Sequence, residues 1–186
     1  IEKYQGRIFN IGLAATYSIA KTDEAFYWLG DDHAIYRAQA GSKQRISTDA
    51  ISNAIANFDV IDDAIGFTYT FEGQNFYTIT FPTANKTFTV SELLAENGWF
   101  EISSGTVNDK WQGSSAISAY GKNYVADSEN GNVYTLDLNT YTNNGEALQR
   151  TRVVSNIDAR LVGGAIGDAI TMSSVTISME TGVGLI

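Results

Sequence analysis

Two aromatic-rich segments joined by a short polar turn lie near the middle of the chain, which reads Gly66-Phe67-Thr68-Tyr69 and, after Glu72-Gly73-Gln74, Asn75-Phe76-Tyr77-Thr78-Ile79. Aromatic and β-branched residues fit the pleated, half-buried surface of a β-strand. Glycine tolerates the positive φ angles that tight hairpin turns require. The stretch therefore predicts a β-hairpin, and the segment Lys86-Thr87-Phe88-Thr89 predicts a third strand beside it.

The same pattern occurs once before and once after this hairpin. The aromatic strand around Phe76 has counterparts around Phe26, 50 positions earlier (76 − 26), and around Tyr124, 48 positions later (124 − 76). First strands are predicted at 15–18, 66–69 and 115–118, third strands at 34–37, 86–89 and 132–135, and fourth strands at 44–47, 99–102 and 149–153. Four antiparallel strands that repeat at a fixed interval are typical of propeller blades.

We therefore predict an all-β fold of β-propeller-like repeats, each a four-stranded antiparallel blade, with short helical insertions. Residues 1–160 would form three blades, at about 1–48, 58–103 and 113–155, and residues 161–186 a connector and the start of a further strand or blade. The segment 173–180 alternates and predicts that extra strand. Since propellers use about four to eight blades, we expect the chain to be a fragment of a longer protein or to pack against a second copy.

Two segments interrupt the strand pattern. Residues 48–56 predict a short helix, because Thr48 is a suitable N-cap and Ile51 and Ile55 lie one turn apart on one face. Residues 91–98 predict a helical turn that begins at Ser91 and ends at Gly98.

Composition excludes several classes of function. The net charge of −9 argues against a broad DNA-binding face, because an acidic surface repels phosphates. The absence of cysteine excludes disulfides and cysteine-ligated zinc, and the single histidine, His33, excludes any mechanism that needs two. No apolar run approaches the length of a membrane span. The glycine-rich segment 161–167 lacks the spacing of a phosphate loop, so it is interpreted as a connector.

Three acidic groups are candidate sites. Asp59, Asp62 and Asp63 could supply two carboxylates for glycoside hydrolysis, although loop neighbours rarely face each other as that reaction requires. Asp31-Asp32-His33 offers too few oxygen ligands for a metal ion. The segment 127–131 is similar to a calcium loop but has Leu138 where the twelfth ligand belongs. We predict no catalytic, cofactor-binding or metal site, no cofactor and no enzyme activity.

Recurrent aromatic residues leave one alternative open. They are interpreted as packing between blades, or as a platform on which a sugar or base would stack; the residues are Tyr17, Tyr36, Tyr69, Phe88 and Tyr134. A carbohydrate-binding or glycoside-active β-propeller is thus the alternative function. It requires a concave pocket with converging aromatic rings and two facing carboxylates.

An ordered set of stretches resembles a known family. These are 12–18, 25–30, 45–51, 76–83, the strand end at Trp99, 120–131 and 179–184. Together they resemble the phage stabilisation family, the packaged-DNA stabilisation or tail-hub proteins of short-tailed phages.

The resemblance implies a structural virion protein on a β-propeller. It implies a six-fold tail hub, or tail accessory factor, that closes the portal channel after DNA packaging and anchors other tail components. The implied partners are a portal–adaptor ring, a tail spike or fibre, and a plug or needle, with the protein a homo-hexamer in the virion. The implied location is the virion tail, and the host cytoplasm during assembly. It implies no membrane association, no sequence-specific nucleic-acid binding and no catalytic residues.

Overall fold

The computed structural model describes residues 9–94, 98–105, 109–140 and 142–147, with a few single positions between 151 and 174. In these ranges the chain is all-β and propeller-like, and its paired strands are antiparallel. The first blade is a four-stranded sheet in the order β1-β2-β3-β4. Its strands are β1 (Ala20–Lys21), β2 (Phe26–Leu29), β3 (Ile35–Gln39) and β4 (Ser42–Arg45).

The second and third blades repeat this hairpin order. The second contains β5 (Ile65–Phe71), β6 (Gln74–Phe81), β7 (Lys86–Ser91) and β8 (Trp99–Glu101), paired in chain order. The third has β9 (Gly113–Ala119), β10 (Lys122–Asp127) and β11 (Val133–Leu136) among the described residues, and a separate hairpin follows with β12 (Thr142–Asn143) and β13 (Glu146–Ala147). The predicted fourth strand at 149–153 and most of 161–186 lie outside the described residues, so they remain predictions.

Tight turns connect the strands. Four two-residue turns have positive φ at both positions, which is the geometry that matches the right-handed twist of a hairpin. They are Ala40-Gly41, Glu72-Gly73, Tyr120-Gly121 and Asn144-Gly145. Because three of these turns place a residue other than asparagine, aspartate or glycine in the left-handed region, they carry a local conformational cost.

The predicted helix is confirmed and the first predicted strand is wrong. Helix α1 spans Asp49–Ala56, with the Thr48 hydroxyl accepting a 3.3 Å hydrogen bond from the N–H of Ile51. The predicted strand at 15–18 is instead a 3-10 turn over Thr16–Ser18. There the Ser18 hydroxyl donates to the Ala15 carbonyl at 2.8 Å, so a side chain competes with strand pairing.

The predicted helical turn at 91–98 begins differently. Ser91 is the last residue of β7, opposite Phe76, and its hydroxyl donates to the side-chain oxygen of Gln74 at 3.2 Å. It therefore extends a strand ladder and does not cap a helix. Residues 92–94 form a turn, and residues 95–97 lie outside the described part of the chain.

The blades stack on one another around an apolar core. The side chains of Leu29 and Ile35 in the first blade, and of Ile79 and Phe81 in the second, are fully buried in one cluster with Ile55 of α1. Along the chain the first strands are neighbours in space: β5 contacts β1 on one side and β9 on the other. The fold thus brings three first strands together, as the inner strands of propeller blades.

Candidate interaction surfaces

The junction of the first two blades is held by side chains that reach main-chain carbonyls. The Tyr77 hydroxyl donates to the Ser18 carbonyl at 2.8 Å, and the Thr68 hydroxyl donates to the Lys21 carbonyl at 2.7 Å. On the outer edge the Trp99 indole donates to the Ile46 carbonyl at 2.7 Å. Because each bond satisfies a backbone acceptor outside its own sheet, it fixes the relative position of the two blades.

A half-buried ion pair crosses the same junction. The Arg37 guanidinium on β3 contacts the Glu92 carboxylate after β7, and the Asn75 amide donates to the other Glu92 oxygen at 2.9 Å. Burial alone would raise the pKa of Glu92, but hydrogen bonds from Arg37 and Asn75 outweigh it and hold that pKa below its usual range. The Arg37 guanidinium also donates to the Tyr27 hydroxyl at 3.3 Å, and burial raises the pKa of Tyr27 to about 12.

The junction of the second and third blades is built differently. Threonine hydroxyls pair across β6 and β7, Thr78 with Thr89 at 2.8 Å and Thr80 with Thr87 at 3.0 Å. All four side chains are buried on the side of the second blade that faces the third. The Thr87 hydroxyl also accepts a 2.9 Å hydrogen bond from the N–H of Trp111, whose ring lies 5.8 Å from that of Phe67. The interior here is polar but satisfied.

Of the Asp59, Asp62 and Asp63 carboxylates, that of Asp63 has a structural contact. One oxygen of Asp63 accepts a 2.8 Å hydrogen bond from the N–H of Thr83. The other is buried and has no protein partner among the described residues. Its backbone bond makes Asp63 an anchor for the turn between β6 and β7.

The aspartates of the predicted hairpin turns have a structural role that the sequence did not predict. Asp32 accepts a 3.2 Å hydrogen bond from the N–H of Ala34 and a 2.5 Å bond from the Tyr36 hydroxyl. Asp127 accepts from the N–H of Glu129 at 2.7 Å and from the Tyr134 hydroxyl at 3.1 Å. In both blades a turn carboxylate binds the tyrosine of the third strand.

These hydrogen bonds also shift the pKa values of Asp127 and Tyr36. Bonds from the Glu129 N–H and the Tyr134 hydroxyl hold the pKa of Asp127 below its usual range, although burial opposes this. Burial and the bond to Asp32 raise the pKa of Tyr36 to about 12. The available sequence signal was an aspartate in the turn followed by tyrosine in the next strand. Among the described residues, no three histidine, aspartate or glutamate side chains are grouped so as to hold a metal ion.

The recurrent aromatic residues divide into two groups. Tyr36 and Phe88 are buried, as predicted for packing, and Tyr69 and Tyr134 are partly buried. Tyr17 is 72% exposed, so its predicted role in the core is wrong. It projects from the 3-10 turn that replaced the predicted strand.

Two concave regions lie between blades, the smaller of them at the three first strands. A shallow one of about 200 Å³ lies where the three meet, lined by Lys21, Thr68 and Ser118 among others. A larger one of about 560 Å³ lies between the second and third blades, with the rings of Tyr69, Trp111 and Tyr134 in its wall. Among its described lining residues Asp137 is the one carboxylate. It therefore has the aromatic rings that sugar binding needs, without the facing carboxylates that hydrolysis needs.

The architecture defines the class of protein: a β-propeller-like chain whose blades are joined through side-chain hydrogen bonds. The family model described as bacteriophage P22 Gp10, beta-propeller, matches residues 2–141. The chain therefore belongs to the phage stabilisation family, as the resemblance indicated. It is a structural component of the phage virion concerned with stabilisation, and it interacts with other virion components.

A search of curated proteins finds no match. In the described part of the chain, every helix is too short or too polar to span a bilayer.

Proposed function

We propose that this protein is a tail hub, a tail accessory factor that closes the portal channel after DNA packaging and anchors other tail components. The observation that carries the proposal is the family match over 2–141, on blades whose strand turns project to the surface. Exposed turns and blade edges are where a propeller offers contacts to other proteins.

The hydrogen bonds between blades support a role as a rigid scaffold. Side chains from one blade bind backbone carbonyls of another at 2.7–2.8 Å, which fixes the blades relative to each other. A protein that resists the pressure of packaged DNA needs such fixed joints.

Surface charge indicates what the hub contacts. The net charge of −9 disfavours a broad contact with DNA phosphates, so retention of DNA would act through protein contacts around the channel. Exposed apolar side chains on the turns suit such contacts: Leu93 and Leu94 follow β7, and Tyr120 lies at the tip between β9 and β10. The proposed partners are the portal–adaptor ring, a tail spike or fibre and a plug or needle, in a six-fold assembly in the virion of a short-tailed phage or prophage. Assembly would take place in the host cytoplasm.

The test is binding of the full-length protein to purified portal–adaptor complex, measured by light scattering. We expect a complex of fixed stoichiometry. In a second measurement, filled particles to which the protein is added back are expected to retain their DNA. A protein that remains separate from the adaptor under all conditions would overturn the proposal.

A matched pair of variants sharpens this test. Tyr120→Ser removes an exposed turn side chain on the third blade, and Tyr17→Ser removes an exposed ring before the first. Both are expected to fold. If the Tyr120 turn contacts the adaptor, only the first weakens binding; if both bind like the unchanged protein, the turn is not the contact.

A further inference from the structure

The larger cavity between the second and third blades has the size and lining of a small-molecule site. Its volume of about 560 Å³ lies within the range of about 300–1,000 Å³ that such sites occupy. Sites of this kind combine apolar and aromatic walls with a few polar groups that orient the ligand. We call it the interblade cavity, and its lining includes Tyr69, Ser103, Trp111, Tyr134, Asp137 and Asn143.

Trp111 is held in a fixed position at this cavity. Its main-chain N–H donates to the Thr87 hydroxyl at 2.9 Å, and its ring lies 5.8 Å from the ring of Phe67. The ring also lies against Gly113, where an added Cβ would come within 2.8 Å of a ring carbon. Because the ring is positioned before any ligand arrives, little side-chain entropy would be lost on binding.

Two tyrosine rings, one from each blade, form the rest of the aromatic wall. Tyr69 on β5 stacks on Phe76, with ring centroids 5.1 Å apart. The hydroxyl of Tyr134 on β11 donates to Asp127 at 3.1 Å, so that ring is tethered too. One face of a pyranose ring carries C–H groups with a small positive charge, which pack favourably on the negative face of an aromatic ring. The wall therefore fits a ligand with a flat apolar side.

The polar side chains of the lining are mostly neutral. Ser103 contributes a hydroxyl, and Asn143 and Asn144, in the hairpin of β12 and β13, contribute amides. Hydroxyl and amide groups both donate and accept hydrogen bonds, as the hydroxyls of a sugar do. These groups therefore match a ligand that carries several hydroxyls beside its apolar side.

The charges around the cavity select against anions. Among the described residues that line it, none is a lysine or an arginine, and Asp137 is the one carboxylate. A phosphate or carboxylate ligand is normally bound by such cations, and the net charge of −9 would repel it. A nucleotide therefore fits this cavity poorly, whereas a neutral sugar is not repelled.

We propose that the interblade cavity binds a short neutral oligosaccharide. A pyranose ring would stack on Trp111, while its hydroxyls bond to the Asn143 amide and the Asp137 carboxylate. The protein would bind the sugar without hydrolysing it, because most glycosidases use a pair of carboxylates and the described lining has one. The inference does not depend on the tail-hub proposal, since no contact with a portal or adaptor enters it.

The test is to probe an array of immobilised neutral and anionic oligosaccharides with the full-length protein. We expect binding to neutral glycans, and mass spectrometry of a soluble form of the best binder should show that it stays intact. Trp111→Leu and Asn143→Ala should each weaken binding about fivefold to tenfold in calorimetry, because each removes one contact. The control is Asn53→Ala, which makes the same change on helix α1, outside the cavity, and should bind like the unchanged protein.

Asn143→Ala decides the question even if the Trp111 variant does not fold. Asn143 pairs with Glu146 through the backbone of the β12–β13 hairpin, which the substitution leaves in place. Absence of binding to every neutral glycan, binding to anionic glycans only, cleavage of the sugar, or equal affinity of Asn143→Ala and the unchanged protein would each overturn the proposal.

Discussion

The hydroxyl of Tyr77 in the second blade donates a 2.8 Å hydrogen bond to the main-chain carbonyl of Ser18, in the turn that leads into the first. Ser18 is fully buried, and its own hydroxyl accepts from the N–H of Leu29 at 3.1 Å. Among the bonds that join these blades, this one therefore reaches a carbonyl that is buried away from water.

The Tyr77→Phe variant should destabilise the protein by about 1–2 kcal/mol, because the Ser18 carbonyl would remain buried without its donor while the ring stack with Tyr27 is kept. Chemical denaturation would measure the loss. Tyr17→Phe is the control, since its ring is mostly exposed, and it should change nothing. Equal stability of both variants would show that the bond contributes little.

Gly66→Ala should destabilise the protein by about 1–3 kcal/mol, because an added Cβ would lie 2.3 Å from the Ser18 carbonyl oxygen and 2.8 Å from the Tyr77 hydroxyl. The close approach of β5 to the first blade requires glycine here. Thermal unfolding of this variant would measure the loss. Gly131→Ala is the control, because a Cβ there meets no atom within 4 Å. If Gly66→Ala and the unchanged protein unfold at the same temperature, the junction is looser than the structure shows.

Glu92→Gln should reduce stability at neutral pH by about 1–2 kcal/mol, because it removes the charge that binds Arg37. The pKa of Glu92 is lowered in the folded state, so its contribution is present above its unfolded value near 4.5 and is lost as pH falls through the folded value. The stability difference between variant and unchanged protein should therefore shrink below about pH 4.

The control for this pair is Asp49→Asn, which removes the partner of Arg45 at an exposed site. It should cost less than about 1 kcal/mol. If both variants show the same loss at pH 7, the pair between blades is no stronger than a surface ion pair.

Tyr120→Asn should stabilise the protein by about 0.5–1 kcal/mol, because asparagine adopts the left-handed conformation at lower cost than tyrosine. Tyr120 has φ 52° and is 97% exposed, so little packing is lost. Denaturant midpoints would measure the gain, with Glu72→Asn at the matching turn of the second blade as a parallel test. A destabilised Tyr120→Asn would mean that the ring makes contacts within the chain.

The blade repeat was predictable from sequence, but its register was not. Phe26 was aligned with Phe76, and the structure shows that Tyr27 points toward the following blade as Phe76 does. Side chains alternate along a strand, so a shift of one residue exchanges the two sides. Both residues are aromatic, and the sequence pattern therefore could not distinguish them.

The junctions between blades were beyond sequence reasoning for a different reason. Arg37 and Glu92 are 55 positions apart, and neither lies in a motif. Only the stacking of two sheets brings them together. The turn aspartates Asp32 and Asp127 were singled out only as candidate metal ligands, whereas each accepts a hydrogen bond from the tyrosine of the following strand.

The long sequence separation of the contacts between blades has a consequence for biosynthesis. Hairpins close over a few residues, whereas the bonds from Tyr77, Glu92 and Trp99 to the first blade span 53 to 59 positions. Non-local contacts form late, because loop closure costs entropy before the contact is made. During translation the first blade leaves the ribosome before these residues exist. The side of the first blade that carries Tyr27 then stays uncovered until the next hairpins emerge.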